Sequence, residues 1–567
     1  MKRYTVVCMA VALIGGSAFL GCDDSTAPPE APDTVNAGAD ILAGMGETVT
    51  LDGSATCPAA VTCTWRQLAG PDVTGGQGSL VGQLAVFTAP SAVTSLQFEL
   101  RAGTDADVSA PDTLVVLVLT DRFHSLFVSR TGNDTNPGTP AAPMRGIQKA
   151  IQRAAAQGAG ADLYIAEGTY PGSLTLANGV SLYGGFSAGG WLRSPAVFPT
   201  IIFGDQQAVV GDGVSNLTID GLVIQAADGI DTDAEEDRSS YGVLLRGTEN
   251  VTIAGNVLWT GDGTRGKEGL SGWPGRDGLP GAMGGAGNED GTPPGDGGPG
   301  GLGWPYSGGN GGTGGWEDSD WGDWGIAGAG GTMGGTAGYG TQPGWASPPG
   351  GAGGKGEGGA AGTHGAGGTE LGTIHPTFGY LAADGGSGRP GGPGGGGGGG
   401  GGSGASNGGI DGSGNGGSGG GGGGAGALGG AGGTGGGGAF GIMLIETTGT
   451  VISNNVIHTG SGGSGGRGGP GGAGGKGGTG GAAQMHDAGD EIGAGGAGGD
   501  GGNGGNGGAG GGGGGGPSLG IVEAGTGTAT LGSNTFTLGE PGAGGISPAD
   551  PAYNGAAGAR AEHLKLP

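Results

Sequence analysis

Between residues 461 and 482 a side chain appears only at every third position: Ser461, Ser464, Arg467, Pro470, Ala473, Lys476, Thr479 and Ala482, with Gly-Gly after each of the first seven. The phase returns at Ala494, Ala497, Asp500, Asn503, Asn506 and Ala509. Glycine loses more conformational freedom on ordering than any other residue and brings no side chain to a core. A chain with 162 glycines in 567 residues is therefore not built around one continuous apolar interior. A period of three is that of a polyproline-II-type helix, which lines all side chains on one edge and leaves two bare edges that can approach neighbouring backbones. A disordered, solvated linker is the other reading. A linker has no cause to keep phase, which favours packed helices. Residues 263–287 keep a related G-X-Y phase, too short for an independent collagen rod.

Around the glycine the chain repeats itself. YGVLLRGTENVTIAGNVLWTG from Tyr241, FGIMLIETTGTVISNNVIHTG from Phe440 and LGIVEAGTGTATLGSNTFTLG from Leu519 align without gaps, sharing Gly242, Gly441 and Gly520, then Thr248, Thr447 and Thr526, then Gly261, Gly460 and Gly539. Apolar residues recur at fixed offsets with no helical period, which marks the rung of a solenoid. Asn256, Asn455 and Asn534 share one offset and are expected to stack at a tight bend, where Asn tolerates left-handed φ and its amide can bond along the ladder. VSNLTIDGLVI, residues 214–224, is an earlier rung with Leu222 in the Asn place. The glycine of 263–437 and 462–516 is spliced in just after the Gly that ends a rung, so both insertions should leave one edge of the solenoid without disturbing its core.

Upstream, LFVSRTGNDTNPGTPAAPMRGIQKAIQRAAAQGAGADLYIAEGTYPGSLTLANGVSLYGGF carries one helix-like stretch with Ile147, Ala150, Ile151 and Ala154 on a single face. This segment resembles the opening of bacterial right-handed parallel β-helices of the pectin-lyase-like superfamily, in which a strand and a helix close the end of the solenoid. The glycine-rich phase resembles polyglycine-II bundles and PGRS-type surface proteins. Residues 35–120 hold short alternating segments between turn residues, and their order VNAGAD, GETVTLDGSA, TWRQLAGP, FTAP resembles PKD-like, immunoglobulin-type sandwiches, with Trp65 implied as the buried aromatic. Such modules serve as spacers or as binders of glycan and protein. The fold class expected is thus all-β: an Ig-like β-sandwich, then a right-handed parallel β-helix with large Gly-rich insertions.

The first residues, MKRYTVVCMAVALIGGSAFLGC, place Lys2 and Arg3 before a short apolar run, the proportions of an export signal. Phe19-Leu20-Gly21-Cys22 resembles a bacterial lipobox, which implies lipidation of Cys22 after removal of residues 1–21; cleavage without lipid is the other reading. Residues 22–34 then form a Pro-rich tether. Cys57 and Cys63, the remaining pair of an exported chain, are expected to form a disulfide. The division that follows is 35–120 sandwich, 123–262 cap and first coils, 263–437 insertion, 438–461 coil, 462–516 insertion, 517–541 coil and 542–567 C-terminal tail.

A formal charge of −28 argues against nucleic acid or an anionic membrane surface as partner. Asp228, Asp231 and Asp233 in DGIDTDAEED are clustered carboxylates that could ligate Ca²⁺, but they lack EF-hand spacing and read rather as a solvated loop. No other metal or cofactor is expected. Trp316, Trp321 and Trp324 in WEDSDWGDW are candidates for glycan stacking or for plugging the insertion onto the body. Many β-helices cleave polysaccharides with paired carboxylates on consecutive coils. The acids Asp220, Glu249, Glu446 and Glu523 fall at different rung offsets and make no such pair by sequence. The expectation is a non-enzymatic lipoprotein of the bacterial outer membrane or cell surface, held by its lipid, with a structural, adhesive or glycan-binding role. Alternatives are a polysaccharide lyase or hydrolase, and a cation- or ice-binding surface protein.

Overall fold

The computed structural model describes residues 30–567 apart from 105–106, 158–160, 232–237, 289–292, 317–319, 331–332, 344–346, 407–411 and 486–491. Cys22 and Asp233 lie outside the described residues. The chain divides into two compact units, 1–122 and 123–567.

In the first unit, strands Ile41–Gly44, Asp112–Leu119, Thr94–Thr104, Thr62–Ala69 and Ser79–Val81 form one sheet in that order, and Thr48–Asp52 pairs antiparallel with Leu84–Thr88. The alternating burial of TVTLD and LAVFT follows from the period of two in a strand with one covered face. Val49, Leu51 and Phe87 from the pair meet Trp65, Leu96, Phe98 and Val116 from the larger sheet in one core, with Trp65 fully buried. Cys57 and Cys63 are joined by a disulfide, with Cα atoms 6.1 Å apart.

The second unit is a parallel β-helix, defined by the register of three stacked parallel sheets. The first sheet runs through Ser125–Val128, Asp162–Ala166, Leu182–Phe186, Ser215–Asp220, Glu249–Ala254, Val451–Ser453 and Thr530–Leu531. The second comprises Gly168–Pro171, Thr200–Phe203, Leu222–Gln225, Val257–Trp259, Val456–His458 and Thr535–Thr537; the third comprises Leu174–Thr175, Gln207–Asp212, Ser240–Arg246, Ala439–Ile445, Ser518–Ala524 and Arg560–Leu566. The repeats stack as they align: Val243 against Ile442 and Ile442 against Ile521, Ile253 against Ile452 and Ile452 against Leu531. Their inward side chains make one continuous apolar core, closed at its beginning by Ile147, Ala150, Ile151 and Ala154 of the helix Ile147–Ala156. The last strand, Arg560–Leu566, pairs with Ser518–Ala524, so part of the segment read as a tail completes a coil.

Each glycine excursion leaves after a second-sheet strand and returns before a third-sheet strand. The hydrogen bonds that join coils continue without a break into the glycine. Thr260 N–H donates to His458 C=O at 3.0 Å, then Gly263 to Ser461, Gly266 to Ser464, Gly269 to Arg467 and onward in steps of three to Gly281 and Thr479. This three-residue repeat of bonds between segments is the one expected of polyglycine-II helices. Segment 385–406 is surrounded: from 394 to 403 each N–H donates in turn to segments 412–438, 350–369 and 322–329, while carbonyls from 395 to 403 accept from 308–315, 334–341 and 493–517. Segment 412–438 is enclosed in the same way between 416 and 425. A Cβ on Gly399 would collide with the Asn310 carbonyl, and one on Gly420 with the Gly397 carbonyl. The core of this bundle is backbone packed on backbone, and only glycine permits it.

Candidate ligand-binding surface

The bundle turns the usual distribution of residues inside out. Its glycines are buried and its large side chains stand on the perimeter. In the rest of the chain Trp65 and Trp191 are buried, and Trp259, 47% exposed, is stacked on His458 with ring centroids 3.8 Å apart. In the first insertion Trp273, Trp304, Trp316, Trp321 and Trp324 are exposed to 76%, 47%, 54%, 63% and 67%. Trp is highly buried on average, so five exposed rings on one insertion need a reason. A third-position residue on a perimeter helix has only solvent to face, which is why Trp273, Trp316, Trp321 and Trp324 cannot be tucked away; Trp304 takes a bonded place instead, its N–H donating to the Gly423 carbonyl at 3.0 Å.

The geometry differs from ring to ring. Trp321 and Trp324, three residues apart, share one edge of segment 321–329. The guanidinium of Arg276 lies 5.0 Å from the Trp304 ring, fixing that side chain against its neighbour. Trp273 is at the X position of a G-X-Y triplet; the sequence reading overlooked it, and the third-position rule would have found it. Trp345 lies outside the described residues.

The other route considered, an aromatic plug between insertion and body, is taken by different residues. A hairpin of Thr373–His375 and Gly379–Leu381 lies on the outer face of the third sheet, where Tyr380, Tyr241, Leu244, Phe440, Met443, Leu519 and Val522 form a buried cluster. Tyr380 N–H donates to the Tyr241 hydroxyl at 3.0 Å, and burial pushes the Tyr380 phenol above its ordinary range. This clasp was not legible in the sequence, because its apolar residues are scattered in a short polar stretch.

Asn256, Asn455 and Asn534 form a continuous ladder. Asn256 Nδ2 donates to Asn455 Oδ1 at 3.0 Å and Asn455 Nδ2 to Asn534 Oδ1 at 3.0 Å, while the same amides bond the carbonyls of Ile219, Ile253 and Ile452. Asn256 Oδ1 accepts from Leu222 N–H at 3.0 Å, so Leu222 ends the ladder. The left-handed residue of the bend, however, is not the ladder Asn but the one before it: Gly221, Gly255 and Asn454 have φ of 71°, 64° and 56°. The ladder Asn is free to keep an ordinary backbone because its predecessor makes the turn.

The acids are dispersed. Asp220 pairs with Arg193 at 3.1 Å, and Arg246 pairs with Asp212 at 2.5 Å. Glu523 occupies the register position of Leu444, is buried, and bonds His563 Nε2 at 2.7 Å and Ala529 N–H at 2.8 Å. Asp228 accepts from Asp262 N–H at 2.8 Å, and Asp231 faces the Lys267 ammonium at 4.0 Å, so both are engaged with the start of the glycine bundle. Among the described residues no group of three His, Cys, Asp or Glu is placed to hold a metal ion.

These features define a class: a parallel β-helix protein whose second-to-third-sheet corner is extended into a glycine bundle edged with tryptophan. Residues 130–270 match the family described as "Protein of unknown function (DUF1565)", which covers less than half of the chain. No curated protein matches. Among solved structures the chain is matched to the Family 28 exopolygalacturonase of Yersinia enterocolitica at 15% identity and a TM-score of 0.18, over 42% of this chain and 57% of that one. This chain thus spans little more than half of that enzyme's length.

Proposed function

We propose that the protein is an exported, lipid-anchored, non-enzymatic surface protein that binds glycans through its glycine bundle. The export signal and the lipobox ending at Cys22 support a place in the bacterial envelope, with residues 22–34 as tether. We read the first unit as a PKD/Ig-like spacer and the β-helix as a right-handed member of the pectin-lyase-like group, serving as a rigid mount. The observation that carries the binding role is the set of exposed rings Trp273, Trp304, Trp316, Trp321 and Trp324 on a perimeter whose backbone is fixed by hydrogen bonds. A rigid base lowers the ordering cost of binding. The engagement of Asp220, Asp212 and Glu523 with cations or a histidine supports a role without catalysis.

The test is retention of the full-length protein on a panel of immobilised polysaccharides, with replacement of all five exposed tryptophans by alanine expected to abolish it. The same panel is assayed for new reducing or unsaturated ends. Turnover that disappears with a single acid-to-amide change would establish an enzyme instead.

A further inference from the structure

The edge of segment 321–329 specifies more than general affinity for sugar. We propose that Trp321 and Trp324 bind an extended, neutral, β-linked polysaccharide, one ring to each disaccharide repeat; this rests on the glycan-binding reading above and names its ligand class. In a helix with three residues per turn, residues three apart stand on one line, separated by about 9 Å at ~3.1 Å per residue. That is close to the disaccharide repeat of a flat β-1,4-linked chain, whose successive disaccharides present the same sugar face.

The spacing is fixed by the packing below. Gly322 and Gly325 N–H donate to Thr341 and Gly338, Asp323 and Ile326 N–H to Thr313 and Asn310, and the carbonyls of Asp323 and Ile326 accept from Gly402 and Gly399. Two of every three residues are thereby tied to neighbouring segments. The third residue is the one that carries the ring. Among the described residues nothing bonds the N–H or C=O of Trp321 or Trp324, so each turn offers a ring, a donor and an acceptor together. A sugar presents the matching set: an apolar face with hydroxyls around its rim.

Charge selects among polysaccharides. Asp320 and Asp323 are exposed beside the two rings, and the chain has a formal charge of −28. Polyuronates are repelled by such a surface, whereas neutral chains lose nothing and can donate hydroxyls to the carboxylates.

The experiment is depletion of the full-length protein by microcrystalline cellulose and by chitin, with affinity electrophoresis in polygalacturonate and alginate alongside. Retention on cellulose or chitin is expected, with no retardation by either polyuronate. Trp321→Ala and Trp324→Ala should each weaken retention at least tenfold with an unchanged melting temperature, because neither ring is packed. Leu270→Ala, an exposed side chain on another segment, should leave it unchanged. If retention is insensitive to Trp321→Ala and Trp324→Ala, or if only the polyuronates bind, this ligand assignment is overturned while glycan binding stands. If no polysaccharide retains the protein, both fall.

Discussion

A single asparagine shows how tightly a coil is tied to its neighbours. Asn455 Nδ2 donates to Ile253 C=O and Asn534 Oδ1, and its Oδ1 accepts from both the N–H and the Nδ2 of Asn256. Asn455→Ala removes these at once and leaves buried groups without partners. The expected loss is on the order of 3 kcal/mol, measured by denaturant unfolding. Asn455→Asp should be nearly as costly, because a carboxylate keeps the acceptors and loses the donors. The shared Asn offset was legible in the sequence because it needed only three aligned repeats. The bend before it was not, since Gly255 and Asn454 take the same left-handed conformation with different residues. The third-position residues of the bundle have comparable local logic. Beyond the reach of segment 539–546, which accepts from Gly462, Gly465 and Gly468, the N–H groups of Gly474, Gly477 and Gly480 are received by the side chains of Asn506, Asn503 and Asp500. Asx at these positions replaces a missing neighbour. Asn503→Ala should therefore cost about 1 kcal/mol, while Ala473→Ser, at an exposed position, should be neutral in the same unfolding measurement.

At the scale of the element, the length of a glycine run reports how many neighbours a segment has. Perimeter segments keep a side chain at every third residue. Uninterrupted runs occur at 394–402, 419–424 and 510–516, and each of these is enclosed on all sides. The sequence therefore held the depth of each segment in the bundle, and the three-residue phase alone did not extract it. Partner choice was not legible, because one glycine edge is chemically identical to another and only the lengths and turns decide who meets whom. Hydrogen exchange distinguishes the two kinds of segment. All amides from 394 to 403 donate within the bundle and should exchange slowly without exception. In 462–482 exchange should be periodic: slow at Gly466, Gly469, Gly472 and Gly475, fast at Arg467, Ala473 and Thr479, whose N–H groups have no partner among the described residues. Uniform random-coil rates would mean that the bundle is not formed in solution. Gly468→Val, Gly471→Val and Gly474→Val place a side chain into the carbonyls of Gly510, Gly507 and Gly504, and together should convert the periodic pattern to fast exchange throughout.

For the second unit as a whole, the insertions share one exit and leave the inward core free of their residues, as the repeats imply. The outer face of the third sheet, however, is covered by one of them. The hairpin of Thr373–His375 and Gly379–Leu381 belongs to the first insertion and covers Tyr241, Leu244, Phe440 and Met443 on the outer face of the third sheet. A coil closes its interior by itself; its outer apolar face requires a cover. Deleting residues 263–437 should therefore not leave an intact β-helix. Exposing those four side chains forfeits roughly 5 kcal/mol or more of burial and opens an apolar surface prone to association. The deleted protein is expected to aggregate or to melt well below the full chain. A version that retains residues 370–383 on short polar linkers should recover solubility and most of the melting temperature, without the exposed tryptophans and so without glycan retention. If the plain deletion melts like the full chain and stays monomeric, the clasp is dispensable and the β-helix is stabilised by its inward core alone.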